Sequence, residues 1–292
     1  MSISGSKCLF DVFIAVDFSG SKDLRQQKKH IAFAETEHSL LTPRISAGLT
    51  RSAAVSHLIE RLHHHNSRGQ RVLCGFDFQY SFPLGFWHAL TGLQEIWTEM
   101  ITGMSEGVTG LPGINEEPVP NARHWADVAN RQMSRRLSVS IGPFWGPNFP
   151  QAKNPGFFRT LRPSFEEYRL VEQRLKGCKP IFRIGGQGSV GLQSLCGIPY
   201  LSRIREICLQ QSIPLHFWPF DGWNTLGHHA LVEWYPAIYN RGQKSDEQDA
   251  CACVEWGRAQ DAAGTLLDYF APTLSNFEKA QAAFEGWVLG VR

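Results

Sequence analysis

Five acids sit where a folding chain normally places apolar residues. Asp17 closes the run FIAVDF and Asp77 closes VLCGFDF, each a single carboxylate near the carboxyl end of an apolar stretch. Glu233 lies inside ALVEWYPA, and Asp246 and Asp249 belong to SDEQDACACVEW. An isolated buried carboxylate costs several kcal/mol unless a partner, hydrogen bonds or a metal compensates it. Each acid also has a plain structural reading. Asp17 and Asp77 can cap the turns that follow them, Glu233 can sit half exposed on an edge strand, and Asp246 and Asp249 suit a helix N-terminus. Two acids at matching places on two strands argue for a site instead, because ligands of parallel α/β sheets gather at the carboxyl ends of strands.

The last pair can be oriented from spacing alone. Ser245 followed by Gln248 is a capping-box pattern that starts a helix. At about 100° per residue, Glu247, Gln248, Glu255 and Arg258 share the solvent side. Asp246 and Asp249 turn the other way, toward Ala250, Cys253, Trp256 and Gly257. Asp17, Asp77, Glu233, Asp246 and Asp249 thus make an all-oxygen constellation. Hard oxygen ligands suit Mg²⁺ or Mn²⁺ rather than zinc. Two such ions about 3.5–4 Å apart can activate a water and stabilise the leaving oxygen of a phosphodiester. Strands pair about 4.8 Å apart, so Asp17 and Asp77 on adjacent strands can share one ion.

Other chemistry-bearing groups are weaker candidates. Cys251 and Cys253 diverge in a helix, and no second pair follows at zinc spacing, which leaves them as small core fillers. GGQGSVG, residues 185–191, can aim backbone N–H groups at a phosphate or simply turn a strand into a helix; it lacks the GK[ST] ending of a P-loop. Gln187 and Ser189 in that loop, and Ser19 in VDFSGS, are candidate substrate contacts. Arg135, Arg136, Lys153, Arg159 and Arg162 interleave with Trp145, Phe149, Phe157 and Phe158, a mixture suited to backbone contacts plus base stacking. Buried aromatics with solvated arginines read identically. His63, His64 and His65 end a helix, and His228 or His229 could serve proton transfer near Glu233. No Ser-His-Asp or Cys-His arrangement has local support.

The elements that must position these residues follow from periodicity. Residues 10–18 read as a strand ending in the turn cluster SGSKD; 30–37 and 40–46 read as two further strands. RSAAVSHLIERLHHH predicts a helix over 51–65, and RVLCGFDF a strand buried on both faces. Residues 86–180 read as a mostly helical, partly basic insertion between the fourth and fifth core strands, because a βαβ crossover needs far fewer residues. Strands at 215–220 and 229–236 and helices at 245–260 and 273–288 complete the chain. The expectation is a single α/β domain over 1–292 with a mixed sheet flanked by helices.

Composition agrees with a folded globule: 42% of the 292 residues are hydrophobic, 19% are charged, and nine are tryptophan. No run reaches the roughly 18 apolar residues that span a bilayer, and Lys7 and Asp11 interrupt the start, so neither a membrane span nor a signal peptide is expected. Seven unpaired cysteines point to a reducing, cytoplasmic compartment. Net charge is only +2, but residues 121–183 carry twelve Lys/Arg against four acids, whereas residues 84–120 carry five acids and neither Lys nor Arg. That asymmetry suits a polyanion such as nucleic acid.

The order β-β-β-α-β-α-β-α, with an Asp on the first strand, one on the fourth and a carboxylate pair on a late helix, resembles the RNase H-like superfamily. D-x-x-D-A at Asp246, Asp249 and Ala250 resembles the last helix of RuvC-type junction resolvases. VDFSGS, FDFQYSFPLG, GGQGSVGLQSLCGIP, VEWYPA, DEQDACAC and EGWVLGV together resemble the family called domain of unknown function 429, described as predicted RNase H-like nucleases. The resemblance implies Asp17, Asp77, Glu233 and Asp249 as catalytic metal-binding acids, with Asp246 as an extra ligand. It further implies a substrate of DNA or RNA, branched or single-stranded. The chain departs from RNase H proper in having no clear helix-borne Glu between strands three and four, Glu60 being the nearest. Two other functions remain open: an actin-like nucleotide-dependent phosphotransferase, which would need a second similar half, and a non-catalytic binding protein on the same fold.

Overall fold

The computed structural model describes residues 8–114, 122–149, 152–161, 163–186, 189–240 and 245–292. The first half of the sheet comes from β1 (Val12–Asp17), β2 (Ala32–Glu37), β3 (Arg44–Ala47) and β4 (Val72–Phe76), with α1 (Leu24–His30) and α2 (Arg51–Ser67) between them. Next come α3 (Phe86–Thr91), α4 (Trp97–Glu106), a ribbon of β5 (Gly107–Val108) and β6 (Leu111–Pro112), α5 (Ala122–Leu137), α6 (Gly156–Thr160), α7 (Leu170–Gln173) and the long α8 (Gly191–Gln210). Then β7 (Leu215–Phe217), β8 (His229–Glu233), α9 (Asp246–Ala262), α10 (Leu266–Phe270) and α11 (Asn276–Glu285) complete the chain.

The main sheet has six strands in the order β3-β2-β1-β4-β8-β7. β2 runs antiparallel to both of its neighbours, while β1, β4, β8 and β7 are mutually parallel. The expected α/β class and mixed sheet are therefore present, with helices on both faces. Among the described residues there is one six-stranded sheet and one two-stranded ribbon, and no second half like the first.

Alternation along the strands sorts side chains between two cores. Val12, Ile14, Val16, Val72, Cys74 and Phe76 join the core that includes α2, α4, α5 and α8. Phe13, Ala15, Leu73, Ala230 and Val232 join the opposite core, which α9, α10 and α11 cover. Gly75 permits the tight β4–β8 approach, since a Cβ there would lie 1.9 Å from the Val232 carbonyl oxygen.

Among the described residues, those of 86–180 share the core of the sheet rather than forming one of their own. Phe82, Phe86, Trp125, Phe144 and Phe182 form one aromatic cluster continuous with the α2–α8 side of the sheet. Of the aromatics considered for base stacking, Phe149 and Phe157 are buried there and Trp145 and Phe158 pack against them, so they fill the core rather than form a platform. α1 was not expected from sequence. LRQQKKH has no apolar stripe and buries only Gln27; the Asp23 carboxylate, accepting the Arg25 N–H, starts it.

Candidate metal centre

The register of β1 and β4 builds the centre. Val16 pairs with Phe76, so Asp17 and Asp77 follow on neighbouring parallel strands one rung further on. By strand alternation both fall on the face that holds Phe13, Ala15 and Leu73, the face covered by α9. The first turn of α9 then delivers Asp246 and Asp249 to the same end of the sheet. Ser245 caps that helix by accepting the Gln248 N–H, and Glu247, Gln248 and Glu255 are exposed while Ala250, Cys253 and Gly257 are buried. The division of faces read from spacing holds for these residues, whereas Trp256 and Arg258, expected on opposite sides, are both half-buried, as are Asp246 and Asp249.

Asp17, Asp77, Asp246 and Asp249 line one cleft of about 580 Å³, together with Ser19, Ser189, His30 and Arg123. Their environments differ. Asp77 accepts the Phe18 N–H at 2.7 Å and the Gln193 amide at 2.8 Å. Asp249 accepts from the Asn240 amide at 2.9 Å, and Asp246 faces His30 Nδ1 at 2.9 Å. Asp17 is 8% exposed, and among the described residues no donor reaches its carboxylate. Burial, then the charges of Asp77, Asp246 and Asp249, holds the Asp17 carboxyl far above the ordinary range. Burial also raises Asp77, although the Phe18 and Gln193 hydrogen bonds act against it. Asp249 is raised by burial and by Asp246, with Asn240 pulling it back. The N-terminus of α9 offsets part of this repulsion through its dipole.

Four mutually repelling acids around a cleft, one of them buried without a donor, are a donor set that fits a hard divalent cation. They surround an opening rather than close on one point. Among the described residues, the one trio of His, Cys, Asp or Glu ligand atoms all within 4.8 Å of one another is Cys8, His38 and Asp261, elsewhere in the fold. That trio is a structural cap: the Asp261 carboxylate accepts the Leu9 and Phe10 N–H groups at the start of β1, and His38 Nε2 lies 3.3 Å from it.

Glu233 requires correction as a metal ligand. In β8, Ala230 and Val232 face α9, so alternation sends Glu233 to the other face. Fully buried Arg169 there grips it with two bonds, at 2.6 and 2.8 Å, and the Tyr80 N–H donates to it at 3.2 Å. Arg169 also binds Glu172 at 2.7 Å, and Glu172 accepts the Gln79 amide. The carboxylate oxygens of Glu233 are committed to a buried ion cluster, not to the cleft.

Arg135 and Arg136 also lie elsewhere. They end α5, with Arg136 donating to the Ala89 carbonyl, whereas Arg123 at the start of the same helix lines the cleft. Thirteen residues of helix separate Arg123 from Arg136 by about 20 Å. Ser19 and Ser189 are at the cleft, the Ser189 hydroxyl donating to the Arg183 carbonyl. Gln187 and Arg162 lie outside the described residues. His228 and His229 sit at the opposite end of β8 from Glu233, and His229 Nδ1 accepts the Val72 N–H at 3.0 Å. His63 and His64 stay in the last turns of α2, and His65 bonds Gln70.

Several positioning residues escaped sequence reasoning. Arg51 is buried at the first position of α2 and donates to the Ser19 and Ser21 carbonyls at 2.7 and 2.6 Å, holding the loop after Asp17. A cation at a helix N-terminus opposes the dipole, and that was a readable signal. Gln193 and Asn240 carried no such signal. Comparison with known protein families, curated proteins and solved structures yields no match.

Proposed function

We propose that this protein is a Mg²⁺- or Mn²⁺-dependent phosphodiester hydrolase acting on nucleic acid, with an RNase H-like arrangement of its core. The observation that carries the reading is the gathering of Asp17, Asp77, Asp246 and Asp249 into one cleft, with Asp17 buried and lacking a donor. The placement of acids on the first strand, after the fourth and on the late helix supports the family resemblance, while α1 interrupts the expected run of three strands.

In this reading Asp17, Asp77 and Asp249 hold the ions and Asp246 is a further ligand. Metal ions held by these carboxylates would supply Lewis-acid polarisation of a phosphoryl oxygen and a lowered pKa for a water. Gln193 and Asn240 orient Asp77 and Asp249 by each donating to one carboxylate oxygen. Arg123 supplies positive charge for the substrate backbone, and the first residues of α8 line the same cleft, bringing a helix N-terminus toward an anion.

The test is incubation with Mn²⁺ and a panel of single-stranded, duplex and branched DNA and RNA, alongside Asp17→Asn and Asp249→Asn. The expected result is metal-dependent cleavage that both substitutions reduce by two orders of magnitude or more (~100-fold per lost electrostatic contact). Cleavage that persists in both variants removes the proposed centre. Metal-dependent ATP turnover without cleavage of any nucleic acid favours a phosphotransferase.

A further inference from the structure

Three cavities adjoin along this end of the sheet. The carboxylate cleft shares Gly20, Ser21, Arg123 and Leu192 with a chamber of about 360 Å³ that also contains Lys22. On its other side it shares Asp77 and Val190 with a cavity of about 240 Å³. This last space is more enclosed and largely apolar, walled by Phe78, Leu175, Val190, Trp234, Tyr235 and Val288. A 150 Å³ apolar cavity accommodates benzene, so this one has room for a larger flat heterocycle.

Four of the polar side chains on its wall, Arg169, Glu172, Glu233 and Gln79, are committed to one another, while Asp77 and Lys179 also line it. Arg169 is bound to Glu172 and Glu233, while Gln79 is bound to Glu172 and the Lys179 carbonyl. A ring entering here meets aromatic and aliphatic surface rather than a set of free donors and acceptors. Recognition would come from stacking and shape, which every base satisfies, rather than from reading a base edge.

We propose that this cavity receives one unpaired nucleobase of the substrate, beside the phosphate held at the carboxylates, while Lys22 and Arg123 take the backbone on the other side. The proposal rests on the phosphodiester hydrolase reading and names its substrate class: single-stranded or locally unpaired nucleic acid, accepted with little base preference. A base stacked in a duplex has to leave the helix to enter an enclosed cavity, and that costs unstacking energy.

The experiment measures binding of the full chain, with Ca²⁺ in place of Mn²⁺, to three oligomers of one length: a single strand, its blunt duplex, and an abasic strand with the same backbone. Base stacking predicts that the single strand binds about 10-fold or more tighter than the abasic strand, with the duplex also weaker. Leu175→Trp, which fills the cavity, should lower single-strand affinity to the abasic level and leave abasic binding unchanged. Leu175→Phe should give a smaller loss in the same direction, and melting curves of both variants confirm folding. A preference for base-bearing strands that survives both folded variants overturns the proposal, as does equal binding of all three oligomers. The hydrolase reading fails separately, by absence of Mn²⁺-dependent cleavage while the Leu175-dependent base preference is still measured.

Discussion

Asp17→Asn should stabilise the metal-free protein while abolishing its response to divalent cations. Asp17 is buried, no donor reaches it among the described residues, and Asp77, Asp246 and Asp249 all repel its charge. The penalty has a ceiling, because the carboxyl can take up a proton rather than stay ionised. An unfolded aspartate titrates near 3.9, so at pH 7 proton uptake costs about 4 kcal/mol at 1.36 kcal/mol per unit. An asparagine removes that cost but leaves an amide to satisfy, which offsets about 1–3 kcal/mol. The net gain is about 1–3 kcal/mol, or roughly 2–5 °C in melting temperature for a chain of this size. The sign with pH follows from the raised folded pKa. The folded wild type keeps a proton that the unfolded chain releases, so its stability falls as pH rises above about 4, and the advantage of the variant grows. Mn²⁺ at 100 times its dissociation constant adds about 2.7 kcal/mol to the wild type and little to the variant, narrowing or reversing the order. Urea denaturation at pH 5 and pH 8, with and without Mn²⁺, reads all of this. A variant less stable than wild type at both pH values, with an unchanged metal response, refutes the reasoning.

Three further outcomes follow from named contacts. Arg169→Met leaves Glu233 and Glu172 buried without their cation, and should cost about 3–5 kcal/mol in urea denaturation; a cost under about 1 kcal/mol would mean the cluster is not mutually dependent. Burial, then His65, Arg71 and His228, pushes His229 down to about 4. The unfolded chain protonates it near 6.5, so stability should fall by about 2 kcal/mol between pH 6.5 and pH 5, and His229→Asn should remove that slope; an unchanged slope assigns acid lability to another group. Arg123→Ala should lower the salt slope of nucleic-acid binding by about 0.7–0.9, the value of one backbone contact, while Arg135→Ala and Arg136→Ala leave it unchanged. The opposite pattern in filter binding across salt concentrations would return the interface to the far end of α5.

What was legible in the chain is what repeats within one element. The apolar runs of β1 and β4, the helical stripe of α2 and the two faces of α9 all arise from periods of 2 and 3.6 residues, so local spacing already turned Asp246 and Asp249 inward. The same reasoning placed Asp17 and Asp77 at matching strand ends. It had no purchase on Glu233, because β8 is buried on both faces and its apolar residues do not reveal which parity meets α9. That choice depends on the register of β8 against β4, more than 150 residues away in the chain, and on Arg169, which approaches from α7's N-terminal cap. The same holds for the basic groups. Composition marked residues 121–183 as positive, but only the docking of α5 decides that its first arginine, and not its last two, reaches the cleft. Side-chain direction within an element is a local property of the backbone; which directions converge is set by pairings and packings that bring distant segments together.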